Sequence, residues 1–233
     1  VLVGTNFMFL FGKSPSLADL ENPKVEQASE LYTSDGVLIG KYFRENRSPV
    51  PLSKISPLLI KALIATEDVR YYEHAGIDLT AVLGGFYSSL RGDKRGGSTI
   101  TQQVAKNLFL TNARTFRRKV QELMLTVWLE HAFTKAEILE IWLNRVYLGS
   151  GAWGVDAAAR MYFGVSARRV TLWQAAVLAG LPRAPSRINP RADPAAAAAR
   201  GREVLAAMAD TGVITKADAD AAGAAISFPP RPA

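Results

Sequence analysis

Residues 57–76 read PLLIKALIATEDVRYYEHAG, and their pattern decides the fold class. Pro57 suits the first position of a helix, where its missing N–H costs nothing and its φ is already helical. Ile60, Leu63, Glu67 and Tyr71 then recur three and four residues apart, the spacing of one helical face. A carboxylate on such an apolar stripe loses water, which raises its pKa toward a range useful for proton transfer. The plainer alternative is an amphipathic helix whose glutamate marks the edge of the apolar face. Asp68 follows about 100° round the helix, and His74 and Gly76 close the segment.

Working outward, the same helical character continues. No proline occurs between Pro57 and Pro182. Thr99 with Gln102, Thr134 with Glu137, and Thr171 with Gln174 each match a capping box. Asp193-Pro194 opens an alanine-rich helix that Gly212 can close, and Thr215 with Asp218 starts a last short one. Before Pro57 the pattern differs. Residues 30–43, ELYTSDGVLIGKYF, predict a β-hairpin turning at Asp35-Gly36. The expected fold is therefore mainly α with a small β element at the N-terminal side. Residues 50–225 form the main domain, and 13–49 are a linker holding the hairpin.

Both ends carry expectations of their own. Residues 1–12, VLVGTNFMFLFG, are mostly apolar and uncharged. A bilayer span takes about 20 such residues, so this stretch reads as the end of a truncated transmembrane anchor. A short buried strand or helix is the alternative. The segment 226–233, ending FPPRPA, reads as a linker to a further domain.

Composition narrows the chemistry. The 233 residues are 48% hydrophobic and 21% charged, which excludes a disordered chain. There is no cysteine, so disulfide scaffolds, thiolate metal sites and cysteine catalysis are excluded. The two histidines, His74 and His131, lie in no zinc-site spacing, and each reads as a structural hydrogen-bonder. Net charge is +7, and its location is informative. Residues 91–119 hold eight bases (Arg91, Lys94, Arg95, Lys106, Arg114, Arg117, Arg118 and Lys119) against Asp93 alone, and the remainder balances. A solvated helix face would explain a charge run, but a neutral remainder favours an anion site. Residues 91–98, RGDKRGGS, predict a mobile basic loop running into a helix start at Ser98-Thr99, a natural place for phosphate. It lacks the Gly-Lys-Ser/Thr ending of a nucleotide-binding loop. Phe109 and Phe116 are the only aromatics in the basic stretch, which weighs against nucleic acid. Glu122, four residues after Arg118, either forms a surface pair of about 0.3 kcal/mol or orients Arg118 and Lys119 around an anion.

Together these segments resemble the peptidoglycan glycosyltransferases of glycosyltransferase family 51. Five motifs occur in order: 67–76 (EDVRYYEHAG), 97–103 (GSTITQQ) continuing to Lys106-Asn107, 118–122 (RKVQE), 135–154 with Trp142-Leu143-Asn144, and 178–182 (LAGLP) with Asn189-Pro190. Tyr71 stands where the family usually has Phe, and Trp142 where it usually has Tyr; both keep a ring.

The resemblance implies a lysozyme-like fold with a head lobe and a smaller membrane-proximal jaw lobe. It implies polymerisation of lipid II into β-1,4 glycan with release of undecaprenyl pyrophosphate. Glu67 would be the general base and Glu122 the second catalytic-site carboxylate, orienting Arg118, Lys119 and Lys106 toward the pyrophosphate. Asp68, Ser98, Thr99, Gln102, Gln103 and Asn107 would complete the substrate site, with residues 91–97 as a flap. A divalent cation such as Mg²⁺ would be the only cofactor. Lipid II, the growing glycan strand and phosphoglycolipid inhibitors such as moenomycin would be the ligands. The parent would be a bifunctional class A penicillin-binding protein, anchored once in the plasma membrane with its catalytic domain outside and a transpeptidase domain following. Two rivals remain at this point: a lysozyme-like lytic enzyme and a non-catalytic module binding anionic lipid.

Overall fold

Pro57 does occupy the first position of a helix, α1 (Pro57–Glu67), with Ser56 as its cap residue. The structure is a computed structural model that describes residues 29–32, 38–42, 46–47, 49–81, 97–109 and 116–228. Beyond α1 come α2 (Ile100–Phe109), α3 (Phe116–Ala132), α4 (Lys135–Arg145), α5 (Val155–Phe163), α6 (Leu172–Gly180), α7 (Pro194–Asp210) and α8 (Lys216–Ala224). The expected apolar anchor at 1–12 and the basic loop at 91–96 lie outside the described residues.

The helix starts follow the local chemistry. Thr99 Oγ1 accepts from Gln102 N while Gln102 Oε1 accepts from Thr99 N. Reciprocal boxes of the same kind open α4 at Thr134 and Glu137 and α8 at Thr215 and Asp218. At α6, Gln174 Oε1 accepts from Thr171 N. Asp193 caps α7 by accepting from Ala196 N. After α7 the chain turns at Gly212, with φ +71°, as the sequence predicts.

The β content is small. Strand β1 (Ser29–Tyr32) pairs antiparallel with β2 (Leu38–Tyr42), the two strands of the expected hairpin, whose turn at Asp35-Gly36 lies outside the described residues. A second pairing was not legible in the sequence: β3 (Asn46–Arg47) runs parallel to β4 (Ala152–Trp153). Two residues carry too little periodicity to register as a strand.

At the centre lies α6, whose residues Ala175 to Gly180 are all buried. It packs between α1 and α7. The approach to α7 is close because Gly201 has no side chain: a Cβ there would lie 2.8 Å from Val177 Cγ2. On the other side, α4 is pinned to the segment ahead of α1. Asn144 donates from Nδ2 to Val50 O and accepts at Oδ1 from Val50 N, while Glu140 accepts from Leu52 N. The fourth and fifth motifs also brace each other. Buried Asn189 donates to Pro185 O and accepts from Ser150 Oγ, Arg191 N and Ala192 N. Gly149, at φ +92°, passes so close to Pro185 that a Cβ would sit 2.1 Å from its carbonyl oxygen.

One boundary differs from the sequence expectation. The spacing predicts a helical stripe through Tyr71, but α1 stops at Glu67 because Asp68 takes φ −162° and leaves the helix. Tyr71 is fully buried from the following turn, where its hydroxyl donates to Lys135 O at 2.7 Å. The hydroxyl that departs from the family's usual Phe thus ties this turn to the start of α4.

Gly201 yields a stability test. Replacing a mid-helix glycine by alanine ordinarily gains up to about 1 kcal/mol, whereas overpacking a core costs about 1–3 kcal/mol. Val177 is β-branched and stiff, so the clash should win. Denaturant unfolding of Gly201→Ala is expected to show a net loss on the order of 1 kcal/mol, and a gain would contradict this packing.

Candidate active site

Glu67 is the last residue of α1, where the helix hands over to the turn at 68–76. Its carboxyl is largely withdrawn from water, and that desolvation raises its pKa above the ordinary carboxylate value. Opposing this, Gln103 Nε2 donates to Glu67 Oε2 at 2.9 Å. The charges of Arg200 and Lys106 also lower the pKa, while Asp68 raises it. Desolvation dominates. Such a carboxyl takes a proton more readily than an exposed glutamate does, which suits a base.

Asp68 takes a different part. It is 7% exposed, with Oδ1 2.9 Å from His74 Nε2 and Oδ2 accepting from Ile100 N at 3.0 Å. A carboxylate only accepts, so His74 Nε2 carries the shared proton. Asp68 therefore caps the N-terminus of α2 and locks the turn after Glu67 against it. Thr99 reinforces the joint by donating from Oγ1 to Gly76 O. Among the expected substrate contacts, Asp68, Thr99 and Gln102 have their observed hydrogen bonds within the protein. Ser98, Lys106 and Asn107 are exposed and open to a ligand.

The third motif forms a compact ionic group on α3, which packs along α2. Arg118 Nη1 donates to Glu122 Oε2 at 2.9 Å and Lys119 Nζ to Glu122 Oε1 at 2.5 Å. Glu122 is only 3% exposed, and both oxygens carry a cation. It bridges two positive heads, Arg118 and Lys119. Lys119 remains 44% exposed. The trio carries a net positive charge, close-set and partly open to solvent, as an anion requires.

Among the described residues, a divalent cation would meet one candidate cluster. Asp68, His74 and Asp78 converge closely enough to suggest one. However, the Asp68 oxygens are committed as above, and Asp78 accepts from Arg70, Thr80 and Ala81 N. Burial alone would raise the Asp78 carboxyl, but these donors hold it below its ordinary value. The Arg70 guanidinium thus holds both Asp78 oxygens. This cluster is not legible in the sequence, because its members are brought together by the turn and not by a motif spacing. Nor is Arg200, whose charge acts on Glu67 from α7 with no local signal. A cavity of about 610 Å³ between α7 and α8, lined by Arg202, Leu205 and Lys216 among others, contains none of these groups.

Two stability predictions follow from the division between Glu67 and Asp68. Asp68→Ala strands Ile100 N–H and His74, and should cost about 2 kcal/mol or more in thermal or denaturant unfolding. Glu67 works in the opposite sense. With its folded pKa raised, the native state binds the extra proton, so stability falls as pH rises from the unfolded value through the folded one. Glu67→Gln should then be at least as stable as the parent at neutral pH. A clear loss there would show that the carboxylate is not under desolvation strain.

Comparison with known proteins agrees with this arrangement. The transglycosylase family profile matches residues 35–209. Penicillin-binding protein 1A of Escherichia coli is 42% identical over 216 residues, covering 92% of this chain and 25% of that protein. Penicillin-binding protein 1A of Aquifex aeolicus is 43% identical over 209 residues, covering 86% of this chain and 29% of its own length. The chain therefore spans about a quarter of the length of these relatives. A crystal structure of penicillin-binding protein 1A from Haemophilus influenzae superposes with a TM-score of 0.55 at 29% identity, covering 88% of this chain and 22% of that one. The mainly α fold, the five ordered motifs and these matches agree: the chain belongs to the transglycosylase family, as a peptidoglycan glycosyltransferase domain.

Proposed function

We propose that this domain polymerises lipid II, with Glu67 as general base. The carrying observation is the desolvated Glu67 carboxyl, hydrogen-bonded by Gln103 and within electrostatic reach of Lys106. Glu67 takes the proton from the 4-hydroxyl of the acceptor GlcNAc. The freed oxygen attacks the anomeric carbon of the donor MurNAc from the face opposite the leaving group. A β-1,4 bond forms with inversion, and undecaprenyl pyrophosphate departs. The proton then passes from Glu67 to solvent.

The developing negative charge on the pyrophosphate needs fixed cations. Arg118 and Lys119, held by Glu122, and the exposed Lys106 supply them. This cradle favours polymerisation over the lytic alternative, because hydrolysis of a glycan releases no pyrophosphate. It also suits the pyrophosphate-like head of phosphoglycolipid inhibitors such as moenomycin. The side chains of Arg118, Lys119 and Lys106 meet the pyrophosphate. The substrate's lipid tail places the reaction at the outer face of the plasma membrane, with the glycan strand growing outside. No helix among the described residues is long and apolar enough to cross a membrane.

General-base catalysis is typically worth about 10²–10⁴ in rate. Glu67→Gln should therefore lower glycan synthesis from lipid II by at least about 10²-fold while retaining lipid II binding. A near-normal rate would remove Glu67 as the base. Separately, Arg118→Ala and Lys119→Ala should each weaken moenomycin binding, read by fluorescence polarisation. Unchanged affinity in both would refute the cradle.

A further inference from the structure

The amide of Gln103 faces Glu67 at one end and Trp142 at the other. Gln103 Nε2 donates to Glu67 Oε2 at 2.9 Å, and Gln103 Oε1 accepts from Trp142 Nε1 at 3.1 Å. Trp142 lies on α4, is 1% exposed and packs in the core beneath α2. The two contacts are not equivalent chemically. An indole N–H can only donate, whereas an amide has one end that donates and one that accepts. Trp142 therefore selects one of the two amide orientations, the one that turns the NH₂ toward Glu67. The flipped amide would set N–H against N–H at Trp142 and oxygen against oxygen at Glu67.

We infer that Trp142 is a positioning residue for the base: its donor-only indole holds the Gln103 amide in the orientation that favours an ionised Glu67. The inference rests on the reading of Glu67 as general base. It goes further by assigning an ionisation-setting role to a buried aromatic ring that touches no reacting atom.

An amide N–H binds a carboxylate more strongly than a carboxylic acid. The fixed orientation thus opposes the desolvation that raises Glu67. The other groups acting on Glu67 are Asp68 next to it, Lys106 on α2 and Arg200 on α7. Helix α6, packed along α1, carries no ionisable side chain. None of these charges depends on Trp142. Removing the indole donor leaves them in place and frees only the amide. A freed Gln103 can offer Glu67 either its NH₂ or its oxygen, and the oxygen favours the protonated acid. A tyrosine at 142 would offer a hydroxyl that both donates and accepts, a weaker constraint than the indole.

The test is the pH dependence of kcat/KM for lipid II polymerisation in Trp142→Phe. Phe keeps an aromatic ring and loses the donor. The acid limb should move up by about half a pH unit or more, a roughly threefold or greater loss on that limb, with a smaller change on the plateau. Trp142→Tyr should restore part of the shift. Once Gln103 is replaced by Leu, adding Trp142→Phe should move the limb no further. A limb unchanged in Trp142→Phe, or a shift that persists in full in the Gln103→Leu background, overturns the proposal. If Trp142→Phe does not fold, Gln103→Leu and Trp142→Tyr carry the test. The first must raise the limb, and the second must lie between it and the parent. If Glu67→Gln retains activity, the base reading itself fails. If Glu67→Gln is inactive and the limb ignores Trp142 and Gln103, only the positioning role fails.

Discussion

The Glu67 carboxyl sits where α1 ends, short of water and bonded by one amide. Much of the surrounding structure serves to keep it there. A helix that simply ran on would carry the next residues around the same axis. Instead Asp68 breaks out of α1 and accepts from the backbone of α2 at Ile100 and from His74. That single carboxylate fixes the end of one helix to the start of another. As a result Gln103, one turn into α2, arrives within 2.9 Å of Glu67. Asp68 and Glu67 are adjacent in sequence and do opposite work. One is satisfied and structural, and the other is strained and chemically available. Natural proteins place such strain at functional sites and offset it with packing elsewhere.

The packing that offsets it is visible around α6. This helix is buried along Ala175–Gly180 and sits between α1 and α7. Arg200 on α7, the helix packed against α6, carries one of the charges that oppose the desolvation of Glu67. Helices α2 and α3, packed against each other, carry Lys106 and the Arg118–Glu122–Lys119 group.

What could be read from the sequence follows a physical rule. Capping boxes at Thr99, Thr134, Thr171 and Thr215, proline at the start of α1 and the hairpin strands are local, set by residues within a few positions of each other. The ordered motifs gave the family and named Glu67, Arg118, Lys119 and Glu122. Contacts between distant segments were not legible. The Glu67–Gln103 bond spans 36 residues and Trp142–Gln103 spans 39. Helical periodicity suggested that Tyr71 continued the stripe of Glu67, because nothing local announces that Asp68 prefers to cap another helix. Asp68, Thr99 and Gln102 are expected substrate contacts from their motifs; Asp68 and Thr99 also bond across the joint between the turn after α1 and the start of α2, and Gln102 closes the capping box there. Tyr71 and Trp142 registered only as ring-for-ring departures. Their polar atoms give them their roles, one tying the turn to Lys135 and the other orienting an amide.

The central claim is that Glu67 is a desolvated carboxyl tuned to take a proton. The most direct measurement is an NMR titration of the protein labelled with ¹³C at the glutamate side-chain carboxyl. The Glu67 resonance is assigned by its loss in Glu67→Gln. Glu67 is expected to titrate above 4.5, the ordinary glutamate value. A Glu67 that titrates at or below that value would contradict the claim.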